Sequence, residues 1–200
     1  MKKSLFFTSL ILSLSFTQIF AAFVYTPDPL KKAVKSIESF DEGKAFLSLC
    51  QSKGTINLKW QPLGSDKSTA CWIGHKREII LNSSREFNEG KKISSILFEL
   101  NNSLTHEEFI KLNKLAFEGK ISKKDFVEKV ERIEYQNVFK TRKLLEKGVN
   151  LGIFPENCLL PIAPSFEEHF ELQIQSGHSD AIAKQFDEIK HQGIKFNTSA

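Results

Sequence analysis

Glu99 stands between Phe98 and Leu100 in an apolar helical stretch running from Ile93 to Leu104, and its charge there demands a chemical explanation. A carboxylate turned inward without a partner is costly. Asn102, one helical turn on, could supply one, as could Tyr135, Arg132 or Arg142 from a later helix. A cluster of Glu99, Asn102 and Glu134 would raise a carboxyl pKa and permit acid–base chemistry. The same residues also admit a plainer reading. Phe98 and Leu100 would then be core, Asn101 and Asn102 would mark the helix end, where Asn is common, and Glu99 would be solvated.

Other reactive side chains show no comparable pattern. His75, His106, His169, His178 and His191 form no i, i+4 pair, so each is expected at the surface or in a capping position. Ser176-Gly177-His178-Ser179 reads as a turn between helices. Cys50, Cys71 and Cys158 lack C-x-x-C spacing; buried thiols and a single disulfide fit equally, and no local signature supports a Cys–His enzyme. There is no Gly-rich phosphate loop, and Lys91-Lys92 and Lys123-Lys124 read as solvated pairs at helix starts.

The elements that must position these residues follow from periodicity and caps. Phe23 to Asp28 is extended, and Asp28-Pro29 opens a helix through Leu30, Val34 and Ile37. A second helix spans about Glu42 to Gln51 and ends before Gly54. Ile56, Leu58 and Trp60 alternate with polar residues as a strand, followed by strands at Ala70 to Gly74 and Glu78 to Leu81. Pro62 and Gly64-Ser65-Asp66 make the first turn between them. Beyond Asn82 the chain reads as helix. Thr105 with Glu108, and Ser165 with Glu168, have capping-box spacing, and Ser122 caps a long helix from about Lys123 to Lys147. The last helix is expected over Asp180 to Lys190, with a loose tail from Gln192. The fold class is α+β: a small antiparallel sheet of two or three strands packed on a mostly helical body.

The order strand, strand, then the helix bearing Phe98-Glu99-Leu100-Asn101-Asn102 resembles the zincin metallopeptidases. In that family an edge strand borders the cleft and the next helix carries H-E-x-x-H. Residues at i and i+4 share a helix face, so two imidazoles grip one zinc while the Glu activates its water. Here the Glu position is kept by Glu99, while the His positions hold Phe98 and Asn102. The gluzincin type takes a third ligand from a Glu on a later helix, and Glu134 in Arg132-Ile133-Glu134-Tyr135 matches it better than Glu131. The resemblance spans roughly residues 55–140. Phe98 cannot ligate a metal and Asn102 offers only a neutral amide oxygen. The resemblance therefore implies a degenerate scaffold, with a cleft but without zinc or any other cofactor.

The first residues set the compartment. Lys2 and Lys3, the apolar run Leu5 to Phe16, and Ala21-Ala22 have the layout of a cleavable secretory signal. Cleavage after Ala21 would leave residues 22–200 as a single exported domain, periplasmic or secreted, with no membrane span. Without Lys2 and Lys3 the formal charge falls from +4 to +2, which gives no electrostatic support to nucleic-acid binding. Three functions are compatible with these features. The foremost is a zincin-like scaffold that binds a peptide or protein partner; the others are a hydrolase using Glu99 as acid or base with an atypical metal or none, and a helical interaction module without cleft chemistry.

Overall fold

The computed structural model describes residues 23–26, 28–63 and 68–197. The expected signal segment, Gly64-Ser65-Asp66 of the expected first turn and residues 198–200 lie outside that range. The chain is mostly helical with one small sheet, in the order β1 (Phe23–Thr26), α1 (Asp28–Glu38), α2 (Asp41–Ser52), β2 (Ile56–Gln61), β3 (Ala70–Ile73), β4 (Glu78–Asn82), α3 (Glu89–Leu104), α4 (His106–Phe117), α5 (Lys123–Asn150), α6 (Phe166–Ser176) and α7 (His178–Asn197).

The sheet has four strands in the order β1-β2-β4-β3. β1 pairs with β2 in parallel, β2 pairs with β4 in parallel, and only β3 and β4 are antiparallel. The expected antiparallel sheet of two or three strands is therefore corrected to a mixed sheet. The physical cause is connectivity. The helical pair α1–α2 is long enough to return the chain for a parallel β2, as a short loop could not. After β2 the chain passes over a vacant strand position, runs back as β3 at the edge, and fills that position with β4. A 3-10 turn at Gly74–Lys76 joins the two, closed by Arg77 at φ 50°. That conformation is uncommon outside glycine. The Arg77 guanidinium donates to the carbonyls of Gly54 and Thr55, tying the turn to the start of β2.

Burial follows the topology. Parallel strands covered by helices read as continuous apolar runs, and Ile79, Ile80 and Leu81 of central β4 are all buried. Ile79 and Leu81 pack with Leu30, Ile37, Ile56 and Leu58, and with Ile93, Ile96, Leu97 and Leu100 of α3. A second apolar cluster joins Leu112 and Ala116 of α4, Phe126, Val127, Val130 and Ile133 of α5, and Ile182 and Phe186 of α7. The 28-residue helix α5 reaches both clusters, contributing Leu145 to the first.

Caps set the helix starts. Asn88, Ser122 and Ser165 each accept a hydrogen bond from the backbone amide three residues on, satisfying a donor the first turn leaves open. Thr105 has capping-box spacing but makes no such bond; its hydroxyl is drawn into the buried seam between α3 and α5. The last helix also departs from expectation: it begins at His178 and continues to Asn197.

Candidate functional site in the cleft beside the edge strand

A cleft of about 1810 Å³ opens between β3, the outer flank of α3, the segment Leu160–Pro164 and helices α6 and α7. Its position follows from β3 being the edge. The amide of Asn82 on β4 bonds the carbonyl of Thr69, so alternation turns the backbone groups of Cys71 and Ile73 toward β4 and those of Ala70 and Trp72 outward. Gly74, at the end of β3, lets the rim close. A Cβ there would lie 1.8 Å from the His106 ring, which stands edge-on to Trp72.

Glu99 lies on the cleft floor and is only 5 % exposed. Its carboxyl accepts from Asn102 Nδ2 at 3.0 Å and from the outward backbone amide of Trp72. Burial dominates over these bonds, and with the Glu134 charge facing it the group is pushed up to about 8. Glu134, from α5, lines the same cleft. Its own carboxyl is pushed up by burial and by Glu131, against the opposing pull of His178.

The fold thus brings Glu99, Asn102 and Glu134 together around one cleft, with Phe98 on its wall. The other three candidate partners go elsewhere. Tyr135 donates its hydroxyl to the Ala163 carbonyl at 3.1 Å. Arg132 pairs with Glu128 and stacks on Phe166. Arg142 binds Glu146 and the Leu160 carbonyl. Residues 132, 135 and 142 leave α5 on directions that face α6 and the 160s segment, away from Glu99.

Asn102 uses both ends of its amide. Besides donating to Glu99 it accepts from Asn137 Nδ2 at 3.0 Å, and Asn137 also donates to Thr105 Oγ1 at 2.8 Å. One turn away, Asn101 donates to Thr141 Oγ1 at 2.9 Å. This polar seam explains the asparagine pair: both side chains lock α3 against α5 instead of marking a helix end.

The seam continues into residues that sequence reasoning did not select. Glu131 is completely buried. Its Oε1 accepts from Ser179 Oγ at 2.7 Å and lies 3.1 Å from His178 Nδ1. The other edge of the same imidazole places Nε2 3.6 Å from Glu134 Oε2. His169, also buried, sets its Nε2 3.7 Å from Glu131 Oε2. Burial lowers its pKa, outweighing the opposing pull of Glu131. His169 therefore leaves the expected surface role, while Gly177 makes the expected turn between α6 and α7, and the partly exposed His178 opens α7. A signal for Glu131 was present: it follows Val127 by four positions and precedes Glu134 by three, on the buried stripe of α5. His178 and His169 had none, because only the meeting of three helices brings them to Glu131.

Among the thiols, Cys50 and Cys158 are buried and unbridged, and burial pushes them up to about 12 and about 11. No helix among the described residues is long and apolar enough to cross a membrane. No protein-family profile matches the chain, and neither a curated protein nor a solved structure shows significant similarity to it.

Proposed function

We propose that the chain binds an extended peptide segment in this cleft, on a zincin-like scaffold that does not use the Phe98 and Asn102 positions for zinc. The observation that carries the reading is the edge strand. β3 is the antiparallel border of an otherwise parallel sheet, and its outward backbone groups at Ala70 and the Trp72 carbonyl face the cleft, the Trp72 amide being held by Glu99. A peptide laid there adds a strand by main-chain hydrogen bonding, while Phe98 and Val138 take its side chains. The volume also favours a polymer: small-molecule pockets run to about 300–1000 Å³, well below 1810 Å³. The zincin likeness is supported by β4 leading into α3 and by Glu134 returning from α5 to face Glu99. Export through the first 21 residues would deliver the binding function to the periplasm or beyond.

Phage-displayed random peptides test this. Selected sequences, remade as synthetic peptides, should bind the protein and its Leu49→Ser variant, which alters an exposed residue outside the cleft. Ser95→Arg, which fills the cleft, should abolish binding. Failure to select any sequence, or binding indifferent to Ser95→Arg, would refute the reading.

A second reading is favoured by one observation. Glu99, held protonated, faces Glu134 across an accessible cleft, an arrangement suited to acid–base hydrolysis. Cleavage of a fluorogenic peptide library that disappears in Glu99→Gln would replace binding with catalysis.

A further inference from the structure

We propose that Glu131, Glu134 and His178 hold a divalent metal ion of the zinc class at the floor of the cleft. Each offers one ligand atom, and these atoms lie within 4.8 Å of one another. Ligands on a tetrahedral zinc stand about 3.3 Å apart, given metal–ligand bonds of about 2.0–2.1 Å. A metal takes one imidazole nitrogen, and His178 now divides its two between the carboxylates, Nδ1 3.1 Å from Glu131 and Nε2 3.6 Å from Glu134. Drawing a single nitrogen and one oxygen of each carboxylate inward from their present spacing completes the triangle. The site is distinct from the Phe98 and Asn102 positions, and the inference is independent of peptide binding.

Two further observations point to a cation. The first is charge. Two carboxylates are packed together here, one fully buried and one with 21 % of its side chain open to the cleft. Among the described residues no lysine or arginine pairs with either; their ionic contacts are to His169 and His178. Buried charge persists when it is paired or coordinated to metal. The second is a pair of orphaned atoms. Glu131 Oε2 and His169 Nε2 are both buried without a hydrogen bond, and 3.7 Å between them is too long for one.

The donor set selects the ion. One imidazole and two carboxylates suit zinc or manganese, whereas calcium takes six to eight oxygens. Three protein ligands with the fourth position facing open space is the arrangement of catalytic rather than structural zinc. Ser179, donating to Glu131, would orient that carboxylate from behind.

The test uses the chelator-treated protein and zinc chloride alone in isothermal titration. One equivalent of zinc should bind, more tightly than manganese, with no uptake of calcium. Ser179→Ala should weaken zinc binding by about tenfold, and His178→Ala and Glu134→Gln should weaken it further. A cobalt titration of the unaltered protein removes dependence on how the variants fold: it should give a spectrum of nitrogen and oxygen ligands without a thiolate charge-transfer band. No zinc uptake, a thiolate band, or binding that survives both His178→Ala and Glu134→Gln would overturn the proposal.

Discussion

Replacing Glu99 with Gln should make the protein more stable at neutral pH, although it removes a buried charge-bearing residue held by two hydrogen bonds. The carboxyl is about 8 in the fold against an ordinary value of 4.5. Below about pH 4.5 both folded and unfolded chains hold the proton, and Glu99 costs nothing. As pH rises toward 8 the unfolded chain releases its proton while the fold retains it, so stability falls across that window and levels off above it. At about 1.4 kcal/mol per pH unit, the gap between about 8 and 4.5 sets a ceiling of about 5 kcal/mol. The groups facing Glu99 are Glu134 from α5, His178 from α7, Asn102 on its own helix and the Trp72 amide of β3. Gln keeps an oxygen for Asn102 and Trp72 and cannot ionise. Urea denaturation of metal-free protein at about pH 5 and about pH 8, with a common m-value, measures the effect. The two proteins should be close in stability at the lower pH, and Glu99→Gln more stable by several kcal/mol at the higher. Parallel pH profiles, or a less stable variant at about pH 8, would refute the account of a desolvated carboxyl.

Asn137→Ala, which orphans the Asn102 and Thr105 oxygens inside the α3–α5 seam, should cost about 2–3 kcal/mol in the same denaturation assay. Gly148→Ala should destabilise by about 1–3 kcal/mol although alanine is the better helix former. A Cβ there would lie 2.1 Å from the Phe154 ring, which is buried against Phe40, and a lowered thermal midpoint would show it. Cys50 and Cys158 should resist thiol-labelling reagents in the native protein near pH 8 and react once it is unfolded, as mass spectrometry of the labelled protein would read out.

Much of this architecture can be read locally, and the reasons separate what is legible from what is not. Helices announce themselves through caps such as Ser122 and Ser165 and through stripes such as Phe126, Val130 and Ile133. The tension at Glu99 is legible because a charge in an apolar run needs an answer, and the shared face of residues 99 and 102 limits where it lies. Strand pairing is not legible in the same way. Ile56 to Gln61 alternates and Glu78 to Asn82 carries an unbroken apolar run, but the strands' relative direction is decided by the excursion through β3. The Glu131–His178 contact spans 47 positions and depends on three helices closing together. Thr105 shows a third limit. Its spacing to Glu108 fits a capping box, but the buried amide of Asn137 competes for its hydroxyl, and no local pattern records that competition.

The hydrogen bonds from Asn101 to Thr141 and from Asn137 to Asn102 and Thr105 fix the rotation and axial position of α5 against α3. Apolar helix faces can slide past one another at little penalty, but a slip of one turn here would strand several buried amides and hydroxyls at once. The distance from Glu99 to Glu134 is therefore governed largely by Asn101, Thr105, Asn137 and Thr141, which do not line the cleft. In a saturation scan of this protein, the lining positions Ser95, Phe98 and Val138 should accept varied side chains. Asn101, Asn137 and Thr141 should form an intolerant spine, which leaves evolution or a designer free to retune what the groove admits without disturbing the alignment beneath it.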